Sequence, residues 1–191
     1  MLYLRKFGDS ILTQKAQEIT AFDESLKEQA RAMLDLMNEC AGLGLAGPQA
    51  GLGKRIFVID MRARHDKESS AEFLLDNKIV PTDLCMPLYA VNPIVKEAGE
   101  FESSGEEGCL SFPGIYIDKT RSENVEMTYF DLDGNQHTIK ADGILSRCIQ
   151  HENDHLNGVC ISDNLHPSKL AKIESKLKKL KRETRDSLKK K

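Results

Sequence analysis

The chain has 191 residues, 40% of them hydrophobic and 30% charged, with a formal net charge of -3, and is long enough to bury a core without disulfide or metal staples. This balance excludes collagen-like, mucin-like and wholly disordered chains, and no apolar run is long enough to cross a bilayer. Five cysteines, an odd number with no Cys-x-x-Cys pair, fit reduced thiols, and residues 1–6 lack the pattern of a signal peptide, so the expectation is one cytoplasmic domain over 1–191.

Residues 24–39 place Leu26, Ala30, Met33, Leu34 and Met37 at helical spacing behind Asp23, a suitable N-cap, and predict a core helix. It runs into Gly42-Leu43-Gly44-Leu45-Ala46-Gly47-Pro48-Gln49-Ala50-Gly51, where four glycines and a proline exclude a regular helix and allow backbone to approach a ligand closely. Residues 55–60 and 88–95 are rich in β-branched and aromatic side chains and predict strands, with Pro93 at an edge or a bulge. The polar insertion between them, 62–87, reads as a surface loop with one apolar patch at Phe73-Leu74-Leu75, or as a lid over a site. Alternating residues on either side of Asp133-Gly134 predict a β-hairpin over 125–139. Asp142 then caps a helix on which Ile144, Leu145, Cys148, Ile149, His155 and Leu156 share a broad face, up to a C′ glycine at Gly158. From Pro167 a second helix, about 167–191, carries eleven Lys or Arg against three acidic residues, a net +8 that leaves -11 for the remainder. Its apolar stripe is Leu170, Ile173, Leu177 and Leu180.

The chemistry concentrates in His151-Glu152-Asn153-Asp154-His155. Residues four apart on a helix share a face, so both imidazoles can reach one ion, while Glu152, roughly 100° around the axis, can enter the same cavity as a proton carrier. The third ligand decides the reading. Ile161 stands where a metzincin has its third histidine, and Glu174 and Glu183, the downstream glutamates, belong to the basic tail. Cys109, in Glu107-Gly108-Cys109-Leu110-Ser111, is the better candidate, since a thiolate binds zinc or ferrous iron strongly. This donor set points to an activated water rather than a covalent nucleophile. Cys40, Cys85, Cys148 and Cys160 read as small buried hydrophobes, and His65, His137 and His166 as solvent-facing or locally hydrogen-bonded residues. A zincin-like peptidase with another ligand, and a non-catalytic RNA- or ribosome-binding protein with a closed structural zinc, are the competing readings.

Gly42 to Gln49, Glu107 to Ser111 and Gln150 to His155 together resemble the three signature motifs of peptide deformylases, in the same order, and the likeness extends over nearly the whole chain. The resemblance implies an α+β fold, with mixed or antiparallel β-sheets around a central helix carrying the His-Glu-x-x-His motif and with a C-terminal helix. It implies Cys109, His151 and His155 as ligands of one divalent metal, Fe²⁺ in the cell with Zn²⁺, Ni²⁺ or Co²⁺ able to replace it. By the same resemblance Glu152 is the general acid/base, and Gln49 and the backbone N–H of Leu110 are oxyanion donors. Leu43, Gly44, Ile144 and Cys148 would line a pocket for the first side chain, an assignment that leans mainly on the resemblance. The implied reaction removes the formyl group from the N-terminal methionine of newly made proteins. Association with the ribosome through the basic helix is implied too, with no membrane and no DNA partner. Gly47 stands where the family usually has alanine, which would loosen the loop holding Gln49, and Ser10 replaces a usual proline.

Overall fold

The computed structural model describes residues 2–62 and 73–189; His65, most of the polar insertion's first half and the last two lysines lie outside the described residues. Helix α1 (Glu24–Glu39) begins where Asp23 accepts a hydrogen bond from the Leu26 N–H and buries Leu26, Ala30, Met33 and Met37, as the spacing predicts. Two short strands follow, β1 (Gly44–Ala46) and β2 (Ile56–Ile59), joined through a buried 3-10 turn at Gly47–Ala50. All four residues of β2 are buried because both faces are covered. Ile56 and Val58 pack on the α1 side, and Phe57 and Ile59 pack into a separate core cluster.

The insertion departs from the surface-loop expectation. Its described part forms the hairpin β3 (Phe73–Leu75) and β4 (Lys78–Val80), then a single helical turn, α2 (Thr82–Cys85). Asp76 and Asn77 turn this hairpin with φ of 51° and 63°, the left-handed pair that a two-residue hairpin needs and that Asp and Asn tolerate. Phe73 is buried, and β3 pairs with β9 (Gln136–Asp142), so the segment extends the sheet. No described residue of it lines the large cavity, which disfavours the lid.

Strand β5 (Leu88–Glu97) is central, between β2 and β8 (Asn124–Phe130), so Pro93 sits at a bulge and not at an edge. The register slips between Val91 and Ile94. Asn92, at φ 49°, uses its side chain to bond both backbone groups of Ile19, at 2.9 and 2.7 Å. The antiparallel seven-stranded order is β1-β2-β5-β8-β9-β3-β4, and β6 (Glu102–Gly108) with β7 (Tyr116–Ser122) forms a second, two-stranded sheet. Helix α3 (Gly143–Leu156) lays Leu145, Ile149 and Leu156 into the core formed by β2, β5, β8 and β9. Asp142 takes the N-cap position, but its carboxylate makes no cap bond; it is also the last residue of β9, paired with Asn124. Helix α4 (Pro167–Leu188) buries Leu177 and Leu180 beside Leu12 and Phe112, leaves Ile173 partly buried and Leu170 exposed, and so packs through a shorter stripe than expected.

Gly47 does not loosen its turn. The Gly47 carbonyl accepts from the Leu52 N–H at 2.8 Å, and a Cβ placed on Gly47 would stand 2.5 Å from the Lys54 carbonyl oxygen. Gly47→Ala is therefore expected to destabilise by about 2 kcal/mol, roughly 4–8 °C in Tm, through overpacking against backbone. Thermal unfolding of the variant checks this; an unchanged Tm would show that the 52–54 turn yields freely.

Candidate active site

Three segments meet at one end of α3. The i, i+4 spacing stacks His151 and His155 with ring centroids 4.9 Å apart, and Cys109, just beyond the end of β6, brings its Sγ to 3.2 Å from His155 Nε2. One donor atom from each of Cys109, His151 and His155 lies within 4.8 Å of the others. No other such cluster occurs among the described residues. A thiol and two imidazoles are donors suited to zinc or ferrous iron, and three protein ligands leave a position open.

Burial and neighbouring charges set the two imidazoles apart. Burial alone would keep His151 neutral, yet its hydrogen bonds to Cys109 and Glu107 and the charge of Glu152 bring its pKa up to about 10. Burial, then the neighbouring His151, holds His155 well below its ordinary value, which keeps a lone pair available. The residues thus fit a divalent metal ion in donor type and convergence.

Glu107 is the residue that the motif reading passed over. Burial opposes its ionisation, but hydrogen bonds from Arg121 and His151 outweigh this and hold it well below the usual carboxylate range. Arg121 donates to both of its oxygens, at 2.8 and 2.9 Å, and Arg147 adds a third bond at 2.8 Å. An ionised carboxylate only accepts, so at the 3.1 Å contact His151 Nδ1 donates to Glu107, and Nε2 is the ring nitrogen that an ion, taking the place of a proton, would use. Its place two residues before Cys109 was the available signal. Asp154, one residue before His155, accepts from Lys119 at 2.9 Å and Arg121 at 2.8 Å, so β7 is strapped to the outer side of α3.

Glu152 is 3% exposed, its Oε2 has no hydrogen-bond partner among the described residues, and burial raises its pKa to about 7. A buried carboxyl with that pKa can both take and give a proton at neutral pH. Gln49 is oriented by its Oε1, which accepts from the Ala46 N–H at 2.8 Å. Its Nε2 donates to Ser111 Oγ at 3.2 Å and lies 3.4 Å from Cys109 Sγ. A cavity of about 680 Å³ opens here, lined by Leu43, Gly44, Gln49, Leu110, Ile144 and Cys148 as well as by Cys109, His151 and Glu152. His155 lies behind that wall. The structure therefore brings every sequence-derived site residue to one place. Among the ordinary residues, Cys160 is buried, Cys40, Cys85 and Cys148 are half-buried, His137 bonds Asp76 and Asp131, and His166 bonds Ser168.

A model of the polypeptide deformylase family matches residues 1–171. The chain belongs to that family. It is 40% identical over 184 residues to a peptide deformylase of Opitutus terrae, covering 96% of this chain and 94% of that one. A deformylase of Nostoc is 41% identical over 167 residues, 87% of this chain and 80% of the other. Among solved structures, the peptide deformylase of Plasmodium falciparum superposes with a TM-score of 0.80 at 34% identity, covering 96% and 98% of the two chains. The Synechococcus elongatus enzyme gives 0.74 at 36%, covering 90% and 85%. This deformylase is accordingly a metal-dependent hydrolase that removes the formyl group from the N-terminal methionine of newly made proteins and releases formate.

Gly44, placed in the pocket by the sequence, has a sharper use in the deformylase: a Cβ there would stand 2.5 Å from Glu152 Oε1. Gly44→Ala is expected to push that buried carboxylate aside and lower kcat at least about 100-fold, the scale of losing a general acid/base, with metal content unchanged. Steady-state formate release together with metal analysis checks it.

Proposed function

We propose that Cys109, His151 and His155 hold one divalent ion, that Glu152 moves the proton, and that Gln49 and the Leu110 N–H stabilise the developing oxyanion. The observation that carries this reading is the convergence of three ligand atoms within 4.8 Å beside a buried carboxylate oxygen that has no partner among the described residues. When bound, the ion would supply Lewis acidity, lowering the pKa of a water toward about 7 and polarising the formyl carbonyl. Glu152 takes a proton from the attacking water and passes it to the departing amine nitrogen. Gln49, anchored by Ala46, presents its NH₂ group beside Cys109, and a single oxyanion donor typically contributes about 10² to 10³ in rate. The peptide lies extended along Gly42–Gly44 and Glu106–Gly108, which both line the cavity, and its first side chain sits near Leu43, Gly44, Ile144 and Cys148.

Fe²⁺ is the resident ion in this reading, with Zn²⁺, Ni²⁺ or Co²⁺ able to replace it; the mixed sulfur and nitrogen donor set supports either ferrous iron or zinc. Residues 1–191 act as one catalytic unit, since α4 shares a core cluster with Leu12 and Phe112. The work is done in the cytoplasm beside the ribosomes, with the basic outer face of α4 toward the RNA; the described residues include no helix long and apolar enough to span a membrane.

Glu152→Gln is expected to keep the metal and lose nearly all turnover, whereas Cys109→Ser changes the metal content as well. Formate release from a formyl-Met peptide by anaerobically purified protein, with metal analysis on the same sample, checks both. Near-full activity of Glu152→Gln would discard Glu152 as the proton carrier. Lys172→Glu with Arg182→Glu, both exposed on α4, is expected to weaken ribosome binding and to reduce its salt slope by about 1 for each phosphate that the helix no longer neutralises. Co-sedimentation at several salt concentrations measures it, and unaltered binding would remove α4 from the ribosome-facing surface.

A further inference from the structure

Gln49 is held at both ends of its side-chain amide. A backbone N–H can only donate, so the atom that meets the Ala46 N–H at 2.8 Å is the oxygen Oε1, and the NH₂ group faces Ser111 Oγ at 3.2 Å and Cys109 Sγ at 3.4 Å. Ser111 is 0% exposed and stands outside the lining of the catalytic cavity, although its neighbours Leu110 and Phe112 belong to it. A hydroxyl buried this deeply is costly unless bonded, and its bond here goes to Gln49. The two backbones are tied to one segment as well. The Arg5 N–H donates to the Gln49 carbonyl at 2.7 Å and the Phe7 N–H to the Ser111 carbonyl at 2.9 Å, so donors two residues apart near the N-terminus set the spacing across which the side-chain bond closes.

We infer that Ser111 is a positioning residue for the deformylation reaction: its Oγ holds one hydrogen of the Gln49 NH₂ group and so keeps the other turned toward Cys109, on the side where charge develops on the formyl oxygen. The inference deepens the reading above and rests on it, because it presupposes Gln49 as an oxyanion donor. The terminal torsion of a glutamine is broad and soft, so the bond from Ala46 alone would leave the amide plane free to swing about Oε1. A second bond, at Nε2, fixes the plane. A donor fixed in advance meets the developing charge without reorganising at the moment of reaction. Ser111 acts through Gln49 and lies behind the cavity wall that Gln49 and Cys109 form.

The experiment is a double-mutant cycle of Ser111→Ala and Gln49→Leu, read as kcat and KM for formate release from a formyl-Met tripeptide by anaerobically purified protein, with metal content and Tm measured on the same samples. Gln49→Leu alone should lower kcat about 10²- to 10³-fold, the scale of one oxyanion donor. Ser111→Ala alone should lower kcat about tenfold through misalignment of that donor, with KM and metal content unchanged. In the Gln49→Leu background Ser111→Ala should change kcat by less than about twofold, because the group it positions is gone. An equal loss from Ser111→Ala with and without Gln49, an unchanged kcat in the single variant, or a loss of metal from it would each overturn the positioning role. A Gln49→Leu protein that kept full kcat would instead overturn the oxyanion assignment itself, so the two failures are distinguishable.

Discussion

The site hangs on one buried carboxylate. Glu107 sits on β6, its arginine partners come from β7 and α3, and the imidazole it orients is also on α3, so a single charge fixes the small sheet against the helix that carries the histidines. Removing one partner of such a buried group typically costs about 3–5 kcal/mol, because the others are left charged and unpaired. The same network orients His151 through Nδ1, and so the packing of the small sheet on α3 and the aim of a proposed metal ligand share one set of hydrogen bonds.

The second constraint is room. Glu152 keeps its place only because β1 approaches without a side chain at Gly44, and Gly42 gives similar clearance to Leu110, whose Cδ1 would be 2.7 Å from a Cβ there. Burial raises the Glu152 pKa to about 7, so the same close packing suits the carboxyl to the proton transfer proposed for it. The glycines of this loop thus set the position of Glu152 and Leu110 as well as the chain geometry.

Much of this was legible in the sequence wherever a period or a motif was strong. Helices α1 and α3 and strands β2, β5, β8 and β9 follow from apolar spacing and turn signals, the pairing of His151 with His155 follows from the i, i+4 rule, and Cys109 follows from thiolate donor chemistry and the resemblance of its motif. The small sheet was not legible, because β6 reads Glu-Ser-Ser-Gly-Glu-Glu-Gly and buries only Glu107, leaving no apolar alternation to detect. The β3–β4 hairpin was hidden behind a polar stretch, although Asp76-Asn77 between two short apolar runs is a turn signal that could have been read. Glu107 escaped because its role is long-range: nothing local to the motif foretells two arginines arriving from β7 and α3.

The separation of charge has a further consequence. An acidic body of net -11 joined to a C-terminal segment, residues 167–191, of net +8 gives the molecule a lasting dipole moment, with the segment that contains α4 as its positive pole. In the field of any polyanion such a body experiences a torque before it experiences a contact, so collisions arrive with α4 leading, and the bias fades once the Debye length shrinks below molecular dimensions. The orientation of encounter is thereby written into the arrangement of surface lysines, ahead of any specific recognition.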